Sequence, residues 1–194
     1  MMKFSWIPVA LLAAASVAAA DIALPAPETS GGMPLMEALA KRRSERAISN
    51  APLSPAEISN LLWAANGITR KDGRRTAPTA MNRQELSLYV VMPKGAYRYD
   101  AAKNELEEIY SGRCEVANNA ALMIVIVADL NRQKREFAAV DSGFIGQNIY
   151  LYCAANNLAT VFKASFNASV LKSLLKLEKT QLPMYVQPVG RPAR

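Results

Sequence analysis

Apolar residues recur every three or four positions in two stretches near the start of the chain, which predicts amphipathic helices at 34–42 and 55–66. The second helix opens with Ser54-Pro55-Ala56-Glu57, a capping box with proline in the first helical turn. Gly67 is expected to end it, because glycine readily leaves the helical conformation. In the first helix we expect the apolar face to point into the core through Leu35, Met36 and Leu39.

The period changes to two at residue 86, where alternating apolar positions predict a strand over 86–92. Pro93-Lys94-Gly95 then predicts a turn into a strand at 96–100, and we expect 105–110 to extend this hairpin. The uninterrupted apolar run at 122–127 is typical of a strand covered on both faces. Shorter strands are expected at 159–162 and 184–189.

A long helix is predicted at 137–156, and its apolar residues fall on nearly every side. Such a helix must be enclosed, so we expect a partner subunit to help to cover it. Shorter helices are expected at 115–119 and 169–177. This order of elements predicts an α+β fold in which helices pack around a mixed central β-sheet.

The first twenty residues have the pattern of a signal peptide, with Lys3 ahead of an apolar run at 4–17 and small residues at Ala18-Ala19-Ala20. We therefore expect cleavage after Ala20 and export to the periplasm or the medium. A retained membrane anchor is the alternative, but Pro8 interrupts the run and the run is short for a bilayer span. The rest of the chain is expected to form an extended arm at 21–33 and a single domain at 34–194.

The chain contains no histidine and only two cysteines, Cys114 and Cys153. The first absence excludes His-dependent triads and His-ligated metals, and two distant cysteines are too few for a zinc site or a C-x-x-C redox pair. The cysteines allow one disulfide in an oxidising compartment, or a Cys153 that acts as a small buried hydrophobe. We expect no metal site, and we expect the chemistry to belong to a bound cofactor.

Basic residues dominate the charge, with a formal net charge of +7 that falls to +6 without Lys3, and they cluster at 41–46 and 70–83. Neither cluster contains an aromatic residue, which argues against a nucleic-acid surface. Arginines and a serine in 41–46 suit a phosphate group, although cations at the end of a helix also favour its dipole. The amide of Asn82 suits the alternating donors and acceptors of a heteroaromatic edge.

Five segments occur in a characteristic order over residues 24–192. The first two are Arg42-Arg43-Ser44-x-Arg46 and Pro78-Thr79-Ala80-x-Asn82-x-Gln84. The others are the hairpin around Leu88 to Asp100, the helix segment Asp141 to Leu151, and Pro188-Val189-Gly190-Arg191-Pro192 near the end. Together these segments resemble the nitroreductase family and within it the SagB-type thiazole/oxazole dehydrogenases of peptide maturation. The resemblance implies a nitroreductase-like fold.

The resemblance also implies a homodimer that binds flavin mononucleotide (FMN) at sites built by both subunits. In it, Arg42 and Ser44 correspond to phosphate contacts, Arg46 to a charge at the pyrimidine side of the ring, and Asn82 to a contact with its polar edge. The backbone of Ala164-Ser165 corresponds to a contact at flavin N5, where many relatives carry glycine or an acidic-glycine pair. The full set of implied cofactor-binding residues is Arg42, Arg43, Ser44, Arg46, Pro78, Thr79, Ala80, Asn82, Gln84, Ala164, Ser165 and Arg191.

The function implied by this resemblance is hydride transfer through flavin N5 to a small planar electron acceptor such as a nitroaromatic or a quinone, with no catalytic side chain. The reductant would be NAD(P)H or, because export separates the protein from the cytosolic pool, another donor. Two other functions remain open: a non-catalytic flavin-binding or electron-relay protein, and a SagB-like dehydrogenase of peptide-derived rings. A structural dimer without cofactor is a further possibility. No nucleic acid is expected as a partner, and no membrane after signal cleavage.

Overall fold

The computed structural model describes residues 20–193, so the predicted signal peptide lies outside the described residues except for Ala20. Four α-helices occur in the described part: α1 Leu35–Lys41, α2 Pro55–Asn66, α3 Arg135–Ala155 and α4 Ala168–Leu174. The strands are β1 Ile22–Ala23, β2 Ile48–Ser49, β3 Leu86–Met92, β4 Gly95–Asp100, β5 Glu105–Ser111, β6 Leu122–Asp129, β7 Ala159–Thr160 and β8 Gln181–Pro192. No helix in this range is both long and apolar enough to cross a bilayer.

The strands form one sheet in the order β1-β5-β4-β3-β6-β8-β2, with β7 beside β8. The α+β class is therefore confirmed, but the prediction of a mixed sheet is wrong, because every pairing among residues 20–193 is antiparallel. The reason lies in β7, a two-residue strand that runs in the direction of β6 after α3 has returned along the sheet. It pairs with β8 instead of β6, so no parallel pair forms.

Helix α2 forms as its capping box predicts. The Glu57 amide donates to Ser54 Oγ at 3.2 Å, and the Ser54 amide donates to the Glu57 carboxylate at 2.8 Å. The helix ends at Asn66, where Gly67 follows in an extended conformation. The N–H groups of Ser54 and Glu57 are thus satisfied by side chains, which fixes where the chain enters α2.

Strand β6 is the centre of the core, and its side chains are covered on both faces as predicted. Leu122, Ile124 and Ile126 pack against residues of α2 and α3. Val125 and Val127 pack on the opposite face with residues of α4. Each of these side chains is at most 1% exposed. Burial of this kind contributes about 1.5–3 kcal/mol per large aliphatic side chain.

Helix α1 is oriented differently from the sequence prediction. Leu35, Met36 and Leu39 are 62%, 75% and 43% exposed, and Ala38 is the residue that faces inward. The small Ala38 lets α1 lie close to α3, which leaves the larger apolar side chains outside. Helix α3 has an exposed apolar stripe as well, formed by Phe137, Val140 and Phe144. The two helices therefore leave apolar surface uncovered in a single chain.

Both cysteines are free thiols in the structure. Cys153 lies in the main core cluster at 1% exposure, whereas Cys114 is half-buried near Gly112. Of the two interpretations left open by the sequence, the structure agrees with Cys153 as a small buried hydrophobe. Burial raises the pKa of the Cys153 thiol far above its ordinary value.

Candidate functional site

Tyr150 of α3 joins the first basic segment to the chain after β7. Its hydroxyl oxygen lies 2.7 Å from Ser44 Oγ and accepts a hydrogen bond from the Phe162 amide at 2.8 Å. The guanidinium of Arg42 lies over the Tyr150 ring, 5.3 Å from its centroid, in a cation–π contact. The hydroxyls of Ser44 and Tyr150 form one hydrogen bond with each other, which uses one of their two hydrogens. The other hydroxyl hydrogen stays available to donate to an anion.

The cavity beside this cluster has a volume of about 330 Å³ and is basic on one side. Lys41, Arg42 and Arg43 line it together with Tyr150 and Thr160. Arg43 is paired with Glu45 at 3.1 Å, whereas Arg42 has no ion-pair partner among residues 20–193. Of the two guanidinium groups that line this cavity, Arg42 is thus the one that remains free to bind an anionic group.

A second cavity, of about 440 Å³, brings Arg46 together with Ala164 and Ser165. Lys163 lies in the same cavity, where its ammonium donates to Asn118 Oδ1 at 3.0 Å. The Asn118 side-chain amide in turn donates to the Arg46 carbonyl at 3.3 Å. Two cations therefore share this cavity, and Lys163 is one that the sequence analysis did not identify.

The Pro78 to Gln84 segment lines a third cavity, of about 410 Å³, which has Arg75 on its wall. Its backbone is unusual, because Met81, Asn82 and Gln84 have φ values of +54°, +52° and +46°. Non-glycine residues adopt this left-handed region only where their surroundings enforce it, and such residues concentrate at functional sites. The segment is therefore a preorganised structure.

The side chain of Gln84 holds the side chain of Asn82 in place. Its side-chain amide donates to Asn82 Oδ1 at 3.1 Å and to the Gly73 carbonyl at 3.2 Å, while its oxygen accepts from Arg75 Nε at 3.3 Å. Arg75 also donates to the Asn66 carbonyl at 2.9 Å. The oxygen of Asn82 is thereby occupied, so its N–H groups are the ones free for a ligand. Gln84 and Arg75 position Asn82, and Arg75 was not identified from the sequence.

Helix α3 and the turn before it hold the same segment through Ala80. The Ala80 amide donates to Asp141 Oδ2 at 2.8 Å, and the Ala80 carbonyl accepts from Gln133 Nε2 at 3.4 Å. Asp141 is buried at 2% exposure. Sequence analysis placed Asp141 in a helix but gave it no role at the site, because no local pattern reports a contact across sixty residues.

The site residues predicted from the sequence thus fall into two groups that share no cavity in one chain. One group contains Arg42, Arg43, Ser44, Arg46, Ala164 and Ser165, and the other contains Pro78, Thr79, Ala80, Asn82 and Gln84. Thr79 supports the second group, because its hydroxyl accepts from the Gln84 amide at 3.0 Å. The first group is itself divided, because Arg42 and Arg43 line one cavity and Arg46, Ala164 and Ser165 line another.

Arg191 belongs to neither group. It lies on β8 beside Ser49 of β2, and its guanidinium forms an ion pair with Glu57 at the start of α2. Burial raises the pKa of Glu57, but hydrogen bonds from Ser54 and from Arg191 outweigh it and hold the pKa below its ordinary value. The charge of Arg191 is therefore engaged by Glu57 at the start of α2.

Three carboxylates outside these cavities, those of Asp100, Glu105 and Glu107, come within 4.8 Å of one another. Lys103 donates to Glu105 at 2.7 Å and lies 3.9 Å from the other two carboxylates. Arg98 pairs with Glu107 at 2.6 Å. The cluster is explained as an exposed ion-pair network between strands, which contributes little to stability.

Comparisons with known proteins agree on one family. A family model described as "Nitroreductase family" matches residues 39–191. A "putative nitroreductase" of Methanocaldococcus jannaschii is 28% identical over 183 residues, covering 81% of this chain and 90% of that protein. Among solved structures, a "putative nitroreductase" from Ralstonia eutropha JMP134 is 32% identical with a TM-score of 0.84, covering 98% of this chain and all of that one.

A more distant structure shows the same fold alone. A "putative NADH oxidase" from Clostridium acetobutylicum is 23% identical with a TM-score of 0.59, over 81% of this chain and 88% of that chain. The match to the family model spans most of the chain and includes the Arg42 to Arg46 segment, the Asn82 segment, and Ala164-Ser165. The chain therefore belongs to the nitroreductase family and has a nitroreductase-like fold.

Proposed function

We propose that this protein is an FMN-dependent oxidoreductase that works as a homodimer with two cofactor sites. The observation that carries the proposal is the Arg42–Ser44–Tyr150 cluster. It offers an unpaired guanidinium and a free hydroxyl hydrogen beside one cavity, and these are the donors that a terminal phosphate accepts. The donor set of the chain therefore fits the phosphate end of FMN.

The remaining donors fit the ring of the same cofactor. Asn82 has free N–H groups for the carbonyl oxygens of the pyrimidine edge. Arg46 and Lys163 place positive charge in one cavity, which favours a cofactor whose pyrimidine side becomes negative on reduction. Ala164 and Ser165 line the same cavity, and we assign the contact with N5 to their backbone. When bound, FMN supplies hydride acceptance and donation at N5, which the side chains do not provide.

A homodimer explains why these donors occur in separate cavities of one chain. A second copy can bring its Pro78–Gln84 segment to the cavities lined by Arg42 and by Arg46 and so complete a ring site that one chain leaves divided. The exposed apolar side chains of α1 and α3, including Met36 and Val140, give this pairing a hydrophobic surface. We propose that these two helices form the dimer interface.

The substrate class proposed is a small planar electron acceptor, such as a nitroaromatic or a quinone, that stacks on the flavin. NAD(P)H is the proposed reductant if the protein meets it, and another donor replaces NAD(P)H if the chain is exported as its first twenty residues predict. The name of the distant relative, an NADH oxidase, is in line with a nicotinamide donor.

A non-catalytic flavin-binding protein is the second candidate. The observation that favours it is Ala164-Ser165, because side chains occupy positions where many relatives have glycine and can alter the approach to N5. A SagB-like dehydrogenase of peptide-derived rings is the third, supported by the resemblance of the hairpin and of the terminal segment.

One experiment separates the leading candidate from the second. The chain from Asp21 onward is purified with excess FMN, freed of unbound flavin, and mixed anaerobically with NADH or NADPH while visible absorbance is recorded. A yellow protein that bleaches within seconds and regains colour with a quinone supports the oxidoreductase. Yellow protein that is bleached by dithionite but by neither nucleotide, and whose reduced flavin is not reoxidised by a quinone, supports the binding protein, and colourless protein contradicts both.

A further inference from the structure

Two buried carboxyl groups meet behind the Asn82 segment. Glu85 directly follows the segment and precedes β3, and Asp141 lies in α3. Each residue is 2% exposed, and their side chains lie within hydrogen-bonding reach of each other. Two ionised carboxylates in one buried place repel each other strongly and lack water to offset the repulsion.

The hydrogen bonds favour Glu85 as the residue that carries a proton. Asp141 Oδ2 accepts from the Ala80 amide at 2.8 Å, so Asp141 has a donor that offsets a negative charge. No other residue among 20–193 donates a hydrogen bond to either carboxyl oxygen of Glu85. A buried carboxylate without donors is very costly, whereas a protonated Glu85 can donate its O–H to Asp141.

We propose that Glu85 and Asp141 share one proton, carried by Glu85, and that this pair is the positioning device for the 79–84 segment and its Asn82. The part that concerns cofactor affinity rests on the proposed function. The proton keeps Asp141 available to hold the Ala80 amide, which in turn holds the strained backbone at Met81 and Asn82. When the proton is lost, the two carboxylates repel each other, and Asp141 no longer holds the backbone at Met81 and Asn82 in place.

The charges around Glu85 are consistent with a retained proton. Burial raises the pKa of Glu85, and the side chain of Asp141 raises it further, while the backbone amide of Glu85 itself and Arg132 in the turn before α3 lower it. On the β6 side, the Asp129 amide donates to the Glu85 carbonyl at 2.9 Å. The Asp129 carboxylate itself is engaged by the Asn131 amide at 3.0 Å. The net result is a pKa above the ordinary value.

The direction of the pH effect follows from this raised pKa. The folded protein binds the proton more tightly than the unfolded chain, so the stabilisation is fully present below the ordinary glutamate pKa. It is lost as pH rises through the pKa of Glu85 in the folded protein. Affinity for a ring held by Asn82 falls in the same direction.

The test compares the wild-type chain with Glu85→Gln and Glu85→Leu in two measurements, from about pH 5 to about pH 9. The first is the urea midpoint of the protein without cofactor. We expect the wild-type midpoint to fall relative to that of Glu85→Gln as pH rises, because the glutamine amide donates to Asp141 at every pH. Glu85→Leu keeps an apolar shape without a donor, and its midpoint should be below that of Glu85→Gln at the acid end.

The second measurement is the dissociation constant for FMN over the same range. In the wild type it should rise about tenfold per pH unit once the proton is lost from the free protein. Glu85→Gln serves as the matched control, because any titration of FMN itself affects both proteins equally. Asp141→Asn is the further variant, since its amide can donate to an ionised Glu85, and it should also lose the extra pH dependence.

The shared proton would be overturned if the urea midpoints of the wild type and of Glu85→Gln changed with pH in the same way. If Glu85→Gln does not fold, the same comparison is made between the wild type and Asp141→Asn. If the urea midpoints of the two proteins diverge with pH but their dissociation constants for FMN change with pH equally, the positioning role is overturned. If the urea midpoints diverge with pH but none of the proteins binds FMN, the shared proton is established and the proposed function is rejected instead.

Discussion

The Tyr150 hydroxyl oxygen and Ser44 Oγ lie 2.7 Å apart although 106 positions separate the two residues in the sequence. This contact joins α3 to the segment after α1, and the Phe162 amide, which donates to the same tyrosine oxygen, adds the segment after β7. One side chain thereby fixes the relative positions of two segments that line the candidate cofactor cavities. Its loss should affect binding and stability together.

Tyr150→Phe is expected to weaken FMN binding by about tenfold, because it leaves the Phe162 amide without its acceptor and Ser44 without its partner. The free energy of unfolding should fall by about 1–2 kcal/mol for the same reason. Flavin fluorescence quenching and urea denaturation measure the two effects. Tyr110→Phe, at an exposed tyrosine on β5, is the control and should change neither.

Arg42→Ala is expected to raise the dissociation constant for FMN about ten- to a hundredfold, since it removes a charge-assisted contact with the phosphate. Arg113→Ala removes an equal charge from an exposed position that lines none of these cavities, and it should change the constant by less than about twofold. Equal losses in the two variants would mean that general charge, and not the Arg42 site, governs binding. Titration at constant ionic strength gives both constants.

Val140→Asp is expected to convert a dimer into monomers, because it places a carboxylate in the exposed apolar stripe of α3. Val170→Asp is the matched control, since Val170 is equally exposed, at 58% against 59%, but lies on α4. Sedimentation velocity reports the oligomeric state, and far-ultraviolet circular dichroism shows whether each variant is folded. A dimer that survives Val140→Asp and dissociates with Val170→Asp would place the interface elsewhere.

Ser54→Ala is expected to lower the free energy of unfolding by about 1 kcal/mol near neutral pH, because it removes the cap of α2. The pKa of Glu57 is lowered in the fold, so its contribution is present above the ordinary glutamate pKa and is lost as pH falls through the folded value. Ser54 supplies part of that lowering. The difference between wild type and Ser54→Ala should therefore shrink as the solution becomes acidic, which urea denaturation at several pH values can measure.

Much of the fold follows from local patterns. The capping box of α2 and the apolar run of β6 each specify an element through residues that are neighbours in sequence, and both form as predicted. The orientation of α1 does not follow, because a helical period shows that Leu35 and Leu39 share a face without showing what that face meets. The prediction of a mixed sheet was wrong for a similar reason, since a parallel pair would have formed only if β7 had paired with β6 instead of β8.

In the candidate site, too, local features could be predicted from the sequence and long-range contacts could not. Segments such as Arg42 to Arg46 were identified because their spacing is itself the signal. The supports behind them were not, because the contacts of Ala80 with Asp141 and of Lys163 with Asn118 join residues 61 and 45 positions apart. A buried aspartate within an apolar helix was the one local sign, since such a residue requires a partner.

Sedimentation velocity of the wild-type chain with FMN, recorded at a wavelength that only flavin absorbs, tests the central claim most directly. The account predicts that flavin absorbance sediments with the mass of a dimer, at two FMN per dimer, and that Arg42→Ala leaves most of it unsedimented. Flavin that stays at the meniscus with wild-type protein at micromolar concentration would contradict the account, and so would flavin that sediments with a monomer.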